Sequence, residues 1–234
     1  MTDAAASTDD CASRVRAADR DRYLAALYAP AEARPAVFAL HALDLELARV
    51  VANAGEPMIG EIRLAWWREA LARLDTAPPP AEPILTAIAS HALPRGVTGR
   101  SLEPLEDAFN ALLLADPLSG RDLDAYAERR GGTLFEALAM VLGGEAQHAR
   151  AWGHTWALGE LVRGPWLERV DFGQLASLDI AADRQRAPTA LRPLAGLAAL
   201  ARRDIARWQA ERLLEPRGSV ARQLVLLRII LNGR

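Results

Sequence analysis

Lysine is absent: all 28 basic residues of this 234-residue chain are arginine. Together with the abundance of alanine, this is the composition of a GC-rich genome rather than a selection for guanidinium chemistry. Against 30 acidic residues the net charge is −2, so no basic surplus points to a nucleic-acid partner. Cysteine occurs once, as Cys11 in a polar N-terminal stretch, which excludes an intramolecular disulfide and a cysteine-based metal site. A reducing, cytoplasmic compartment follows as the expectation. No apolar run reaches ~18 residues free of charge, so no transmembrane segment is expected. Met1–Asp10 carries Asp3, Asp9 and Asp10 and has neither the basic start and apolar run of a secretory signal nor the acid-poor composition of a mitochondrial transit peptide. Strand-like alternation is missing, as are internal repeats and a glycine-rich phosphate loop following a strand.

What is present is apolar helix. With 51% hydrophobic residues the chain can bury one sizeable core. Residues 1–18 read as a mobile tail and 19–234 as a single all-α domain. Helices are expected near Asp21–Tyr28, Pro35–Ala54, Met58–Asp75, Pro83–Leu93, Leu102–Leu114, Asp122–Leu142, Ala146–Val162, Pro193–Leu214 and Val220–Leu231. Gly131-Gly132 interrupts the sixth of these at a propensity cost of ~2 kcal/mol, marking a kink or a close helix contact. Trp166–Pro188 reads as a loop with a short helix. The stretch Phe38–Ala52 is apolar almost all the way round, as in a helix buried at the centre of a protein. Its polar stripe runs through His41, Asp44, Ala48 and Ala52, with Leu45 and Arg49 at the edge.

Chemistry is sparse. The four histidines lie in no arrangement with a serine or cysteine nucleophile. His91, at a helix end beside Pro94, is expected at the surface, and His148 and His154, six residues apart on one helix, do not share a face. Asp124 and Glu128 have the i,i+4 carboxylate spacing of a magnesium clamp but sit on what reads as a solvated turn. Asp44 and Glu46 fall on different faces. The ordinary reading of His41 is a hydrogen-bonded interior histidine, and of Asp44 a carboxylate paired with His41 or with an arginine of a neighbouring helix. Tyr126 reads as core, Arg163 as a cation serving a helix C-terminus, and Trp66-Trp67 as one packed and one half-buried indole.

Asp21–Val50 and Glu56–Leu71 resemble the N-terminal region of squalene/phytoene synthases. Tyr126-Ala-Glu-Arg-Arg-Gly-Gly-Thr133 is similar to that family's Tyr-x-x-x-Val-Ala-Gly-Thr helix, and Gly153–Arg163 to the helix that ends in Asn-Ile-Leu-Arg-Asp. The resemblance covers about residues 20–165. It implies an isoprenoid-synthase-like bundle around a central cavity, lined here by His41, Asp44, Leu45, Ala48, Arg49, Ala52, Tyr126, Arg129, Phe135 and Arg163. Active members use magnesium held by two Asp-rich motifs. Here the acids of the first fall on Ala48, Arg49 and Ala52. The second begins on Gly164, with Glu160 at the asparagine; Glu168 comes near its later acid, but Pro165 ends the helix before it. No metal, catalytic residue or cofactor is therefore expected. Leu45-Glu-Leu-Ala48 and Tyr126-Ala-Glu128 are similar to a branch that includes the mitochondrial assembly factor for respiratory complex I and bacterial relatives. That branch implies a pseudoenzyme whose partners are complex I subunits or assembly intermediates, cytoplasmic or peripheral at the inner membrane. The alternatives are a divergent, magnesium-using prenyl diphosphate transferase and a protein that binds an isoprenoid or lipid.

Overall fold

The computed structural model describes residues 2–166, 169–171, 173, 186–211 and 213–234. Among the described residues the elements are helical, and the α-helices are α1 (Thr2–Ala18), α2 (Arg20–Leu27), α3 (Arg34–Ala52), α4 (Pro57–Arg73), α5 (Pro83–Ala87), α6 (Pro104–Leu113), α7 (Gly120–Ala127), α8 (Thr133–Val141), α9 (Ala146–Arg163), α10 (Arg192–Glu211) and α11 (Val220–Asn232). The one extended pairing among the described residues is an isolated bridge between Leu118 and Val170. The short helix expected within Trp166–Pro188, and Glu168, lie outside the described residues.

The buried helix read from Phe38–Ala52 is α3, with Pro35 in its first turn. Ala39, Leu40, Leu43, Asp44 and Leu47 are fully buried along it. It packs against α1, α2, α5, α6 and α8, which makes it the central rod of the bundle. The long kinked helix is α7 and α8, joined by a π-helical turn over Glu128–Gly132. The glycines there allow a close crossing: a Cβ on Gly131 would lie 1.8 Å from the Gly153 carbonyl oxygen of α9. The two helices therefore meet backbone to backbone.

The N-terminal segment is not a tail. Residues Thr2–Ala18 form α1, which lies along α3 and α5. Cys11 and Val15, one turn apart, are fully buried, and Thr8 Oγ1 lies 2.9 Å from His91 Nε2. That bond also takes His91 out of the exposed position expected for it. Small side chains explain the misreading. The inward face of α1 has few large apolar residues, and its stability comes from docking rather than from its own amphipathicity.

Candidate functional site

The centre of the bundle, where the resemblance places a cavity, is filled by a buried net of arginines and carboxylates. It begins with Asp19, which caps α2: its Oδ1 accepts from the backbone N–H groups of Asp21 at 3.0 Å and Arg22 at 3.1 Å. The cap turns Arg22 inward, where its guanidinium is fully buried. Arg22 Nη1 donates to Asp44 Oδ2 of α3 at 2.7 Å, and Nη2 to Glu160 Oε2 of α9 at 2.7 Å. Its Nε lies 2.9 Å from Asp19 Oδ2 as an ion pair without hydrogen-bond geometry.

Arg130, on the π-helical turn, holds the other side of Asp44. Its Nε donates to Oδ1 at 2.8 Å and its Nη2 to Oδ2 at 2.9 Å, a two-pronged pair. Its Nη1 donates to the Tyr126 hydroxyl at 2.6 Å. Arg217, from the connection between α10 and α11, closes the net, with Nη1 on Asp19 Oδ2 at 2.6 Å and Nη2 on Glu160 Oε1 at 2.9 Å and Oε2 at 3.0 Å. Three arginines thus meet three carboxylates, a balanced set. Aromatic rings wall it in. The Arg22 guanidinium stands 4.6 Å from the Trp156 ring centroid, and that of Arg130 stands 5.1 Å from Trp156 and 4.8 Å from Phe109. Phe135 packs against Trp156 with the centroids 5.2 Å apart and the ring planes tilted by 33°.

A second buried set adjoins the first. Arg222 of α11 donates to Asp21 at 2.9 Å and to Asp204 of α10. Arg163, at the end of α9, pairs with Asp204 at 3.0 Å and donates to the Glu215 carbonyl at 2.6 Å.

The electrostatics follow from this packing. Burial alone would raise the Asp44 carboxyl, but Arg130 and Arg22 more than reverse it and hold it below the usual carboxylate range. Glu160 is held down in the same way, burial being outweighed by Arg217, Arg22 and Arg130. Burial wins at Asp19, whose carboxyl is raised despite Arg217 and Arg22. His41, one turn before Asp44, is 1% exposed, with no partner for its Nδ1. Burial, with Arg22 adding to it, pushes its imidazole down to about 3, so it is neutral.

Of the residues read from the sequence, the structure brings His41, Asp44, Tyr126 and Phe135 to this centre, and ties Arg163 to the adjoining set through Asp204. Leu45 and Ala48 are half-buried. Arg49, Ala52 and Arg129 lie at the surface. Arg49 is turned back onto Glu46 of its own helix at 2.8 Å. The residues missed are Arg22, Arg130, Asp19 and Arg217, while Glu160 was singled out only as a replacement. One signal was available: Asp19 opens a helix as a capping aspartate, with Arg22 three residues on. Arg130 stands four residues from Tyr126, as Arg129 stands three.

The donor set does not fit magnesium. Both oxygens of Asp44 and both of Glu160 accept from guanidinium groups. Among the described residues no group of three His, Cys, Asp or Glu side chains is placed to hold a metal ion. Among them too, no helix is long and apolar enough to cross a membrane.

The sequence model of the squalene/phytoene synthases matches residues 15–164. Complex I assembly factor 6 of NADH dehydrogenase (ubiquinone) from Homo sapiens is 29% identical over 140 residues, which are 59% of this chain and 42% of that protein. Its counterpart from Bos taurus is 30% identical over 142 residues, with the same shares. The chain thus spans less than half the length of these relatives. A crystal structure of a dehydrosqualene synthase in complex with ligand superposes with a TM-score of 0.70 at 14% identity, over 98% of this chain and 97% of that one. That likeness establishes an isoprenoid-synthase-like all-α fold. With the family model spanning more than half of its residues, the chain belongs to the squalene/phytoene synthase family.

Proposed function

We propose that this protein is a non-catalytic member of its family, an assembly or interaction factor for respiratory complex I. The observation that carries the reading is the self-neutralised centre. A prenyl diphosphate carries several negative charges, and a synthase of this family meets them with metal ions on free carboxylates. Here Arg22, Arg130 and Arg217 consume the central carboxylates, and the carboxylates consume the arginines. Ala48, Arg49 and Ala52 stand where the resemblance puts the first acidic motif. At Gly164, where it puts the second, a Cβ would lie 2.1 Å from Trp166 Nε1, so the position is closed to an aspartate as the chain is packed. The names of the human and bovine relatives support the partner: complex I subunits or their assembly intermediates. In this reading the protein works at the inner face of the membrane that carries complex I, from the cytoplasm of a bacterial cell.

The test is incubation of the purified chain with farnesyl or geranylgeranyl diphosphate, magnesium and NADPH, with an active synthase alongside as control. Mass spectrometry is expected to find no squalene- or phytoene-type product. Turnover above a boiled-protein blank refutes the reading.

A further inference from the structure

We infer that the outer face of α11 is a seam for an amphipathic helix of a partner protein whose flanking residues are acidic. The inference rests on the interaction role proposed above and adds the place and chemistry of the contact. The inner side of α11 is built into the fold: Arg222 and Leu226 are 2% and 1% exposed. The other side is apolar and uncovered, with Val220, Leu224, Leu227 and Leu231 exposed at 73%, 60%, 39% and 62%. Their spacing is four, three and four residues, the repeat by which one helix presents a narrow seam to another.

The charges on α11 itself and among the described residues of the hollow at its C-terminal end are of one sign. Val220–Asn232 contains no acidic residue, and Arg228 borders the file between Leu224 and Leu231. At the C-terminal end a surface hollow of about 340 Å³ is lined by Arg186, Arg228, Asn232 and Arg234, with no acid among the described lining residues. Arg186 donates to the Asn232 carbonyl at 2.9 Å, and Arg192 to the Ile230 carbonyl at 2.7 Å, so the last turn is further covered by cations. A second copy of this face would set arginine against arginine without a counter-ion. A helix that lies in a lipid interface sinks a whole apolar face into the headgroup boundary; on α11 the side with Arg222 and Leu226 is built into the fold and Val225 and Ile229 pack against the core, which leaves one narrow file. An acidic-flanked helix satisfies both the seam and the charge. The exposed file on α4, through Met58, Ile62 and Trp66, is flanked by both signs and selects no such partner.

The test uses the full chain and two labelled synthetic helices with leucine at the a and d positions, one with glutamate and one with lysine at e and g. In fluorescence anisotropy the glutamate helix is expected to bind about tenfold or more tighter than the lysine helix, with affinity falling as salt rises. The double variant Leu224→Gln/Leu231→Gln is expected to lose that binding with its Tm unchanged, and Arg228→Glu to narrow the preference. Equal binding of the two helices, no binding, or binding untouched by the double variant overturns the inference. So does co-sedimentation with phosphatidylglycerol vesicles, or a dimer in analytical ultracentrifugation, if the double variant abolishes it. Loss of the seam without prenyl transfer leaves the non-catalytic reading standing; turnover removes that reading and leaves the peptide result intact.

Discussion

Replacing Asp44 by asparagine removes one charge from a set that balances only as a whole. Asp44 accepts from Arg22 at 2.7 Å and from Arg130 at 2.8 and 2.9 Å, and is 0% exposed. The variant keeps the size and loses the charge, leaving Arg22, Arg130 and Arg217 against Asp19 and Glu160 alone. Breaking a buried pair in this way costs about 3–5 kcal/mol, because the stranded cation has no water to turn to. Against a total stability of about 5–15 kcal/mol for a domain, that is a large fraction. Urea unfolding followed by circular dichroism should show the midpoint falling with an unchanged slope. The double variant Asp44→Asn/Arg130→Met restores the balance and should lose less than the sum of the two single variants, by about 0.5–3 kcal/mol of coupling. A loss below ~1 kcal/mol in Asp44→Asn, the size expected of a solvated pair, would refute the account of a dry, closed centre.

Three further outcomes are expected. His41 is neutral in the folded state, its imidazole pushed down to about 3 from an ordinary value near 6.5. Its contribution is therefore present in full above pH 6.5 and is lost as pH falls toward 3, at about 1.4 kcal/mol per unit; His41→Leu should flatten the stability profile between pH 6.5 and 5, and an unchanged slope would contradict this. Gly131→Ala forces a Cβ to 1.8 Å from the Gly153 carbonyl oxygen and should cost about 1–3 kcal/mol or more. Gly132→Ala meets only the Glu128 carboxylate, and the propensity gain of about 1 kcal/mol should keep it near neutral, so equal Tm losses for the two would be inconsistent with the crossing. Cys11 is fully buried, and burial, with Asp10 adding to it, pushes its thiol up to about 12. It should react with Ellman's reagent at pH 8 only after denaturation; prompt reaction in the native protein would mean that α1 is not docked.

The helices themselves were legible, because three- and four-residue apolar spacing and the Pro and Gly punctuation report them directly. The expected Pro35–Ala54 is the observed Arg34–Ala52, and the expected Val220–Leu231 is Val220–Asn232. What failed depends on contacts between distant segments. The docking of α1 rests on α3 and α5 receiving small residues such as Cys11, which no local pattern announces. At the π-helical turn the backbone takes an i→i+5 path, so the extra residue rotates Arg130 inward and leaves Arg129 outside. A reading in regular helical steps cannot choose between two adjacent arginines. The absence of lysine worked the same way: with every cation an arginine, the three of the central net carried no mark of their own.

Glu160 shows why the centre behaves as a unit. A carboxylate placed at that depth on α9 cannot stay charged without cations at hydrogen-bond distance. Two segments that are remote in sequence supply them: Arg22 from α2, and Arg217 from the connection before α11. Asp19 then joins the same two arginines at the start of α2. The charges hold the N-terminal, middle and C-terminal thirds of the chain together at one point. An anionic substrate or a metal ion entering there would have to break pairs that already satisfy each other. The central charges need no ligand to satisfy them. In this chain they are satisfied by the fold, so the centre serves to fix the relative positions of α2, α3, α9 and α11, including the helix whose outer face remains uncovered.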